Sequence, residues 1–339
     1  MRKTLIKHFS VLLIFIFVLS GIKVGAVSTP PAWVLNSGNN KPSETDTIEE
    51  NIKTEEETKT EEVTEENTEA ENVTEEESEV EEVIPQKPQE EKVIKIPILL
   101  YHHITDEAFS GGNEISLISP YDFRLHMTAI KVHYTPISLR QYYDYVTCTD
   151  GSVTIPDKPV IITFDDGYLS NYEIAYPILK ELNIPATIFV VTDTVGEMAG
   201  GGKVNYSHFT WEQAKEMEDS GLIDIQSHTA SHQALGTIDY SKLVTELRKS
   251  KYTIEKNLSK ECDMIAFPYG SYTDEVKAAA KSAGYKLQTL VDDKSTEEDF
   301  QVNIPSEGVE SLTRMTISGT MGNINVIEII RRAASKKII

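Results

Sequence analysis

The sequence is poor in basic residues and in cysteine. It has 32 Lys and Arg against 54 Asp and Glu among 339 residues, which gives a net charge of −22. We expect no nucleic-acid partner, because Lys and Arg dominate contacts to phosphate, and no docking on an anionic membrane surface. The two cysteines, Cys148 and Cys262, allow one disulfide or two free thiols, and the sequence favours neither.

Long apolar runs are also missing, apart from one near the N-terminus. Three basic residues in positions 1–7 precede the run Val11–Leu19, and small residues follow at 24–26. This order predicts a secretory signal peptide over residues 1–26, with an uncleaved N-terminal anchor as the alternative. The run is shorter than the ~20 residues of a spanning helix, and no Cys follows it to carry a lipid. We therefore expect a secreted, cell-surface or cell-wall associated protein of a bacterium.

Residues 27–92 are predicted to form a disordered Glu/Thr-rich linker. The stretch 41–92 has 20 Glu, one Asp, five Lys and no aromatic residue, a net charge of −16. Such a segment cannot bury enough apolar surface to offset the entropy lost on ordering. Residues 1–40 carry +4, so −10 is left for residues 93–339, a length sufficient for one large domain.

Strand and helix patterns alternate along this domain. Apolar, β-branched runs predict strands at 96–100, 160–164, 186–191, 223–226, 264–267, 287–291 and 313–317. Helical spacing of apolar residues predicts helices at 121–132, 172–182, 211–220, 241–258, 273–283 and 326–333. The alternation predicts an α/β fold with a parallel sheet, and about 250 residues favour a barrel over an open sheet. The reactive side chains should then follow the strands directly.

Polar residues do follow the second, fourth and fifth predicted strands. They are Asp165 and Asp166, then His228 and His232, then the turn sequence Pro268–Gly270. Adjacent carboxylates are costly to bury without a partner such as a metal ion, although Asp-Asp-Gly can also form a simple turn. The two histidines share one face if their segment is helical.

Together these residues predict a catalytic metal site. One carboxylate and two imidazoles supply three ligands and leave a position open for water, unlike a closed structural site. The second carboxylate is then free to transfer a proton. This ligand set suits several divalent ions.

Three segments resemble the first three motifs of the polysaccharide deacetylases, the NodB-homology or carbohydrate esterase family 4 domain. They are Thr163–Gly167, His228–His232 and Phe267–Gly270, in the family's order and spacing. The resemblance covers about residues 95–330 and implies a distorted (β/α) barrel. It also implies one divalent metal ion, Zn²⁺ before Co²⁺, Ni²⁺ or Mn²⁺.

The resemblance assigns roles to individual residues. Asp165 corresponds to the general base, and Asp166, His228 and His232 correspond to the metal ligands. The backbone N–H of Tyr269, with Pro268 supporting the turn, corresponds to an oxyanion donor.

The sequence departs from the family in its later motifs. No His follows His232, although family members usually supply the acid from a C-terminal His. Ala266 stands near the place of the usual Arg that steadies the base, and the usual Asp/Trp motif is not recognisable. Arg314, at the start of the last predicted strand, is our candidate to replace that Arg.

A substitute acid lies near the N-terminal end of the domain. The segment Leu99–His103 at the end of the first strand resembles the Tyr-His segment of the extracellular poly-N-acetylglucosamine deacetylase branch. That resemblance implies His102 as the acid, with His103 second, while a His that merely caps a strand is the alternative. The other histidines, His126, His133 and His208, are interpreted as surface or structural residues.

The expected activity is hydrolysis of N-acetyl groups on an N-acetylglucosamine polysaccharide, either cell-wall peptidoglycan or poly-N-acetylglucosamine. The expected partner is this N-acetylated polysaccharide, and the protein is predicted to be a monomer. Two alternatives stay open, a catalytically weak glycan-binding relative and an O-acetyl esterase of the xylan type.

Overall fold

The structure is a computed structural model that describes residues 93–106, 117–199, 206–291, 301–317, 319 and 325–335. The predicted signal peptide and linker lie outside the described residues. Within them, no helix has both the length and the apolar character needed to cross a bilayer.

The described residues contain twelve strands. They are β1 Ile98–Tyr101, β2 His103–Ile104, β3 Leu117–Ile118, β4 Thr135–Pro136, β5 Pro159–Asp166, β6 Ala186–Val190, β7 Met198–Ala199, β8 Tyr206–Ser207, β9 Ile223–Ser227, β10 Met264–Ala266, β11 Leu287–Thr289 and β12 Met315–Thr316. Seven of these strands form a parallel central sheet in the order β11-β10-β9-β6-β5-β1-β12, and β4 extends it beside β5. Two short pairs lie apart from it, β2 with β3 in parallel and β7 with β8 antiparallel.

The sheet curls until its two edge strands are joined by one segment. Leu312 pairs with Thr289 of β11 in a parallel bridge, and three residues later Met315 of β12 pairs with Leu99 of β1. The main-chain N–H of Leu290 donates to the Leu312 carbonyl at 2.7 Å. The predicted distorted (β/α) barrel is therefore confirmed, with an irregular closure between β11 and β12.

Alternation along the strands divides the core into two layers. Ile161 of β5 and Phe189 of β6 lie in an inner cluster, which also packs on Tyr142. Their neighbours Ile162 and Ile188 lie in the outer cluster with the flanking helices. Successive strand residues face opposite sides, so Asp165 shares the inner face of Ile161.

Seven α-helices accompany the strands in the described part of the chain. They are α1 Pro120–His133, α2 Leu139–Thr147, α3 Tyr176–Leu182, α4 Trp211–Asp219, α5 Tyr240–Leu258, α6 Asp274–Ser282 and α7 Val326–Ser335. The six helices predicted from sequence are all present, with ends shifted by a few residues. The helix expected over 172–182 begins as a π-helical turn, Asn171–Ala175, because Tyr176 N–H bonds to the Asn171 carbonyl five residues back.

Helix α2 was not predicted from the sequence. This helix buries only two side chains, Leu139 and Tyr142, so its apolar periodicity is too short to recognise. Ser138 begins the helix, since its hydroxyl accepts the N–H of Gln141 at 2.9 Å.

The two cysteines are free thiols. Cys262 is buried and Cys148 is half-buried. Burial raises the pKa of the Cys262 thiol well above its usual value, so this side chain stays protonated and packs as a small apolar group. Of the two open alternatives, the structure shows the one without a disulfide.

Candidate active site

The two carboxylates are the last two residues of β5, rather than residues after it. Asp165 is 1% exposed and continues the strand's alternation into the barrel. Asp166 has a φ of 71°, in the left-handed region that non-glycine residues seldom adopt. Both carboxylates approach the His228 ring, whose Nε2 lies 3.6 Å from Asp165 Oδ2 and 3.6 Å from Asp166 Oδ1.

The segment from His228 to His232 is a loop, so the helical condition considered from the sequence is not met. Thr229 and His232 have φ values of 70° and 60°, each a strained conformation costing about 1–3 kcal/mol. The Thr229 hydroxyl accepts the His232 N–H at 3.1 Å. This fold-back, rather than helical spacing, brings the two imidazoles together.

Asp166, His228 and His232 form a compact cluster of possible metal ligands. The Nε2 atoms of the two histidines are 3.2 Å apart, and His232 Nε2 lies 3.3 Å from Asp166 Oδ1. Tetrahedral ligands at ~2.0–2.1 Å from Zn²⁺ are about 3.3 Å from each other. The spacing and the donor types therefore fit one divalent cation of this kind.

Partners of the two imidazoles leave their Nε2 atoms free for a metal ion. His228 Nδ1–H donates to the Ala266 carbonyl at 2.9 Å, which fixes the tautomer with a lone pair on Nε2. Burial lowers the pKa of His228 to about 4, so the ring is neutral at physiological pH. His232 Nδ1 is hydrogen-bonded to the Tyr269 hydroxyl at 3.0 Å.

Arg314 forms a double hydrogen bond with the Asp165 carboxylate through its two terminal guanidinium nitrogens. Nη1 and Nη2 donate to the two carboxylate oxygens at 2.6 and 2.7 Å. Arg314 is 0% exposed, and its Nε donates to the Leu290 carbonyl at 3.2 Å. Burial alone would raise the pKa of Asp165, but Arg314 and then His228 hold it well below its usual range. Asp165 is thus ionised, as a base must be.

His102 directly follows β1 and faces the same end of the barrel. Its Nδ1 is buried and has no hydrogen-bond partner among the described residues. The ring is close enough to Asp165 to contribute to the lowered pKa of that carboxyl. Asn171 Nδ2 holds the main chain in place by donating to the His102 carbonyl at 2.8 Å.

His103 is occupied by other contacts. Its Nδ1 lies 2.8 Å from the Ser170 hydroxyl, and its ring packs against Tyr206 with centroids 4.4 Å apart. Burial, and then the neighbouring His208, lowers the pKa of His103 to about 4. We therefore keep His102, and not His103, as the candidate acid.

The Pro-Tyr-Gly segment forms a tight 3-10 turn, Pro268–Gly270. Tyr269 has a φ of 57° and its side chain is 60% exposed. Its ring packs edge-on to His232 with centroids 4.6 Å apart. A Cβ on Gly270 would lie 3.0 Å from the Val291 carbonyl oxygen, which explains glycine there. The turn thus sets Tyr269 over the metal-ligand cluster.

Two residues near the cluster were not assigned to it from sequence. Burial, and then the Asp166 carboxylate close to it, raises the pKa of the Tyr168 hydroxyl. The buried His208, interpreted from the sequence as surface or structural, stacks on Tyr168 with centroids 5.0 Å apart. Tyr168 directly follows the Asp-Asp-Gly motif, so its position was a usable signal. His208 precedes α4 by three residues, and no local pattern links it to the site.

A family model described as polysaccharide deacetylase matches residues 152–288. YxkH of Bacillus subtilis (strain 168), which is named for the same family, is 30% identical over 233 residues, which cover 67% of this chain and 73% of that protein. The poly-beta-1,6-N-acetyl-D-glucosamine N-deacetylase of Staphylococcus aureus (strain MRSA252) is 31% identical over 198 residues. That match covers 55% of this chain and 66% of the staphylococcal protein, just under two thirds of its length.

The fold is similar to that of a solved deacetylase. The structure of Streptococcus pyogenes PplD in complex with acetate superposes with a TM-score of 0.59 and 29% identity, over 70% of this chain and 98% of that chain. The family-model match contains the ligand cluster and Asp165, whereas His102 and Arg314 lie on either side of it.

Proposed function

Because the chain belongs to the polysaccharide deacetylase family, we propose that it removes N-acetyl groups from an N-acetylglucosamine polysaccharide at one bound divalent metal ion. The observation that carries the proposal is the Asp166–His228–His232 cluster beside a buried, ionised Asp165. The cluster provides three ligands and one open side, and Asp165 is left free to accept a proton.

The donor set favours Zn²⁺, although Co²⁺, Ni²⁺ and Mn²⁺ accept similar ligands. Held there, such an ion would polarise the acetyl carbonyl and lower the pKa of water towards ~7. Asp166, His228 and His232 would bind it, and the Ala266 carbonyl would orient the His228 ring.

The remaining roles belong to the chain itself. Asp165 takes the proton of the attacking water, and Arg314 fixes its two oxygens during that transfer. The N–H of Tyr269 faces the developing oxyanion from the turn that follows β10. His102 protonates the leaving sugar amine, which would otherwise depart as an unstable anion.

The substrate class follows from the relatives. One relative is named as an N-deacetylase of poly-beta-1,6-N-acetyl-D-glucosamine, and PplD is described in complex with acetate, which is the acid product of such a hydrolysis. We include peptidoglycan in the proposal because it presents the same N-acetylglucosamine unit. Secretion, with the signal peptide and linker predicted for residues 1–92, belongs to this proposal, and so does the monomeric state.

The first prediction tests the activity with purified protein. Oligomers of β-1,6-linked N-acetylglucosamine, peptidoglycan fragments, chitooligosaccharides and acetylated xylan are incubated with it, and released acetate is measured. We expect acetate from at least one N-acetylglucosamine substrate, loss of this release with a chelator, and recovery with Zn²⁺. Release from xylan alone would support the esterase alternative, and no release from any of the four would contradict the proposal.

The second prediction tests His102 as the acid. His102→Gln should lower kcat on the N-acetyl substrate by about 10²-fold, because positioned acids contribute 10²–10⁴-fold. It should have much less effect on an activated aryl acetate, whose leaving group needs no proton. His133→Gln, at an exposed site on α1, is the control. Equal losses on both substrates would remove His102 from the acid role.

A further inference from the structure

The loop that carries His228 and His232 is held from outside by a carboxylate of α5. Glu246 Oε2 accepts the backbone N–H of Ala230 at 3.0 Å and that of Ser231 at 2.8 Å. Its Oε1 accepts the Ser231 hydroxyl at 2.6 Å. A single side chain therefore makes three hydrogen bonds to the two central residues of the loop, and charge on the acceptor strengthens each bond.

The loop needs such support because its backbone is strained. The N–H groups of Thr192 and Asp193 bond to the Thr229 and Ala230 carbonyls on one side, which leaves the loop's own N–H groups to be satisfied from elsewhere. Thr229 and His232 both adopt left-handed φ angles without being glycine. Ser227 accepts the Thr229 N–H, and Thr229 accepts the His232 N–H. These bonds secure the ends of the loop, and Glu246 takes the N–H groups between them.

We propose that Glu246 is a positioning residue for the metal centre. Through Ala230 and Ser231 it holds the loop in the strained form that turns both imidazoles towards Asp166. It thereby raises the affinity for the metal ion without touching it, as supporting partners of metal ligands do. This inference rests on the metal site of the proposed function.

Two replacements separate the hydrogen bonds from the charge. Glu246→Ala removes both acceptor oxygens and with them all three hydrogen bonds. Glu246→Gln can keep three hydrogen bonds, because the amide oxygen can accept both N–H groups while the amide NH₂ donates to the Ser231 hydroxyl. Glu255→Ala is the matched control, since Glu255 also lies on α5 and accepts a backbone N–H, that of Cys262, away from the loop.

The third prediction is a change in metal affinity. Zn²⁺ dissociation constants are measured by competition with a chromophoric chelator on the full chain. We expect Glu246→Ala to bind Zn²⁺ 10–100-fold more weakly, and both Glu246→Gln and Glu255→Ala to bind it nearly as wild type does. A folded Glu246→Ala variant with wild-type affinity would overturn the inference. If that variant does not fold, Glu246→Met, which fills the same volume without an acceptor, takes its place.

Amide hydrogen exchange keeps this inference distinguishable from the proposed function. In metal-free protein, the N–H groups of Ala230 and Ser231 should be protected in wild type and should exchange faster in Glu246→Ala. If wild type bound no Zn²⁺, the proposed function would fail, and the claim about affinity would fail with it. Unchanged exchange in Glu246→Ala would overturn the positioning role by itself.

Discussion

Asp165→Asn should lower kcat for N-acetyl hydrolysis by about 10³-fold, within the range that a positioned base contributes. The carboxylate is buried, ionised and fixed by Arg314, whereas its neighbour Asp166 belongs to the ligand cluster, so the variant loses the carboxylate that is placed to take the proton. The amide of Asn can still accept one N–H of Arg314 but cannot accept the proton of water. The loss should appear in kcat rather than in KM.

The neighbouring Asp166 provides the contrast that makes this test specific. Asp165→Asn should leave the Zn²⁺ dissociation constant close to that of wild type, whereas Asp166→Asn should weaken it, because only Asp166 belongs to the ligand cluster. Acetate release and Zn²⁺ competition on both variants would separate the base from the ligand. If Asp165→Asn kept both acetate release and biological activity, the base assignment would be wrong, and unchanged biological activity without release would favour the glycan-binding alternative.

The sequence was sufficient to predict the barrel and which three side chains would lie together as candidate metal ligands. Continuous apolar strands such as β5 and β6 can be recognised in the sequence, because a strand buried on both faces contains few polar residues. Reactive side chains follow from the strand-end rule. Asp166 is the last residue of β5, and His228 and His232 follow β9, which β6 separates from β5 in the sheet. The structure brings these three side chains together.

Long-range partners could not be predicted in the same way. Arg314 was proposed only as the replacement for a missing Arg, and its double hydrogen bond to Asp165 depends on how the segment between β11 and β12 closes the barrel. The role of Glu246 could not be predicted, because nothing in the sequence distinguishes one Glu on an amphipathic helix from another. The left-handed backbone conformation of Thr229 could not be predicted either, since tertiary contacts determine where the backbone is strained.

Arg314→Met should be the most destabilising of the substitutions considered for this domain. It leaves the Asp165 carboxylate buried without its partner, and breaking such a pair typically costs about 3–5 kcal/mol. Urea unfolding followed by circular dichroism would measure this loss. Arg140→Met is the control, since Arg140 also pairs with a buried carboxylate, that of Asp263, away from the active site. That control should lose stability but keep kcat.

The same substitution should change how stability and activity depend on pH. Burial raises the pKa of Asp165, and without the guanidinium only His228 and His102 oppose this. In wild type the lowered pKa stabilises the fold above about pH 4, the unfolded value, and this contribution is lost as the pH falls through the folded pKa. The stability difference between wild type and Arg314→Met should therefore shrink in acid.

The raised pKa of Asp165 in Arg314→Met should also change how kcat depends on pH. A raised pKa protonates Asp165 nearer to neutral pH, so the acidic limb of the kcat profile of Arg314→Met should move to higher pH. The double variant Asp165→Asn/Arg314→Met removes the uncompensated charge, so its stability loss should be smaller than the sum of the two single losses, while its activity stays low. Additive losses, or an unmoved acidic limb, would show that Arg314 supports only the barrel closure and not the base.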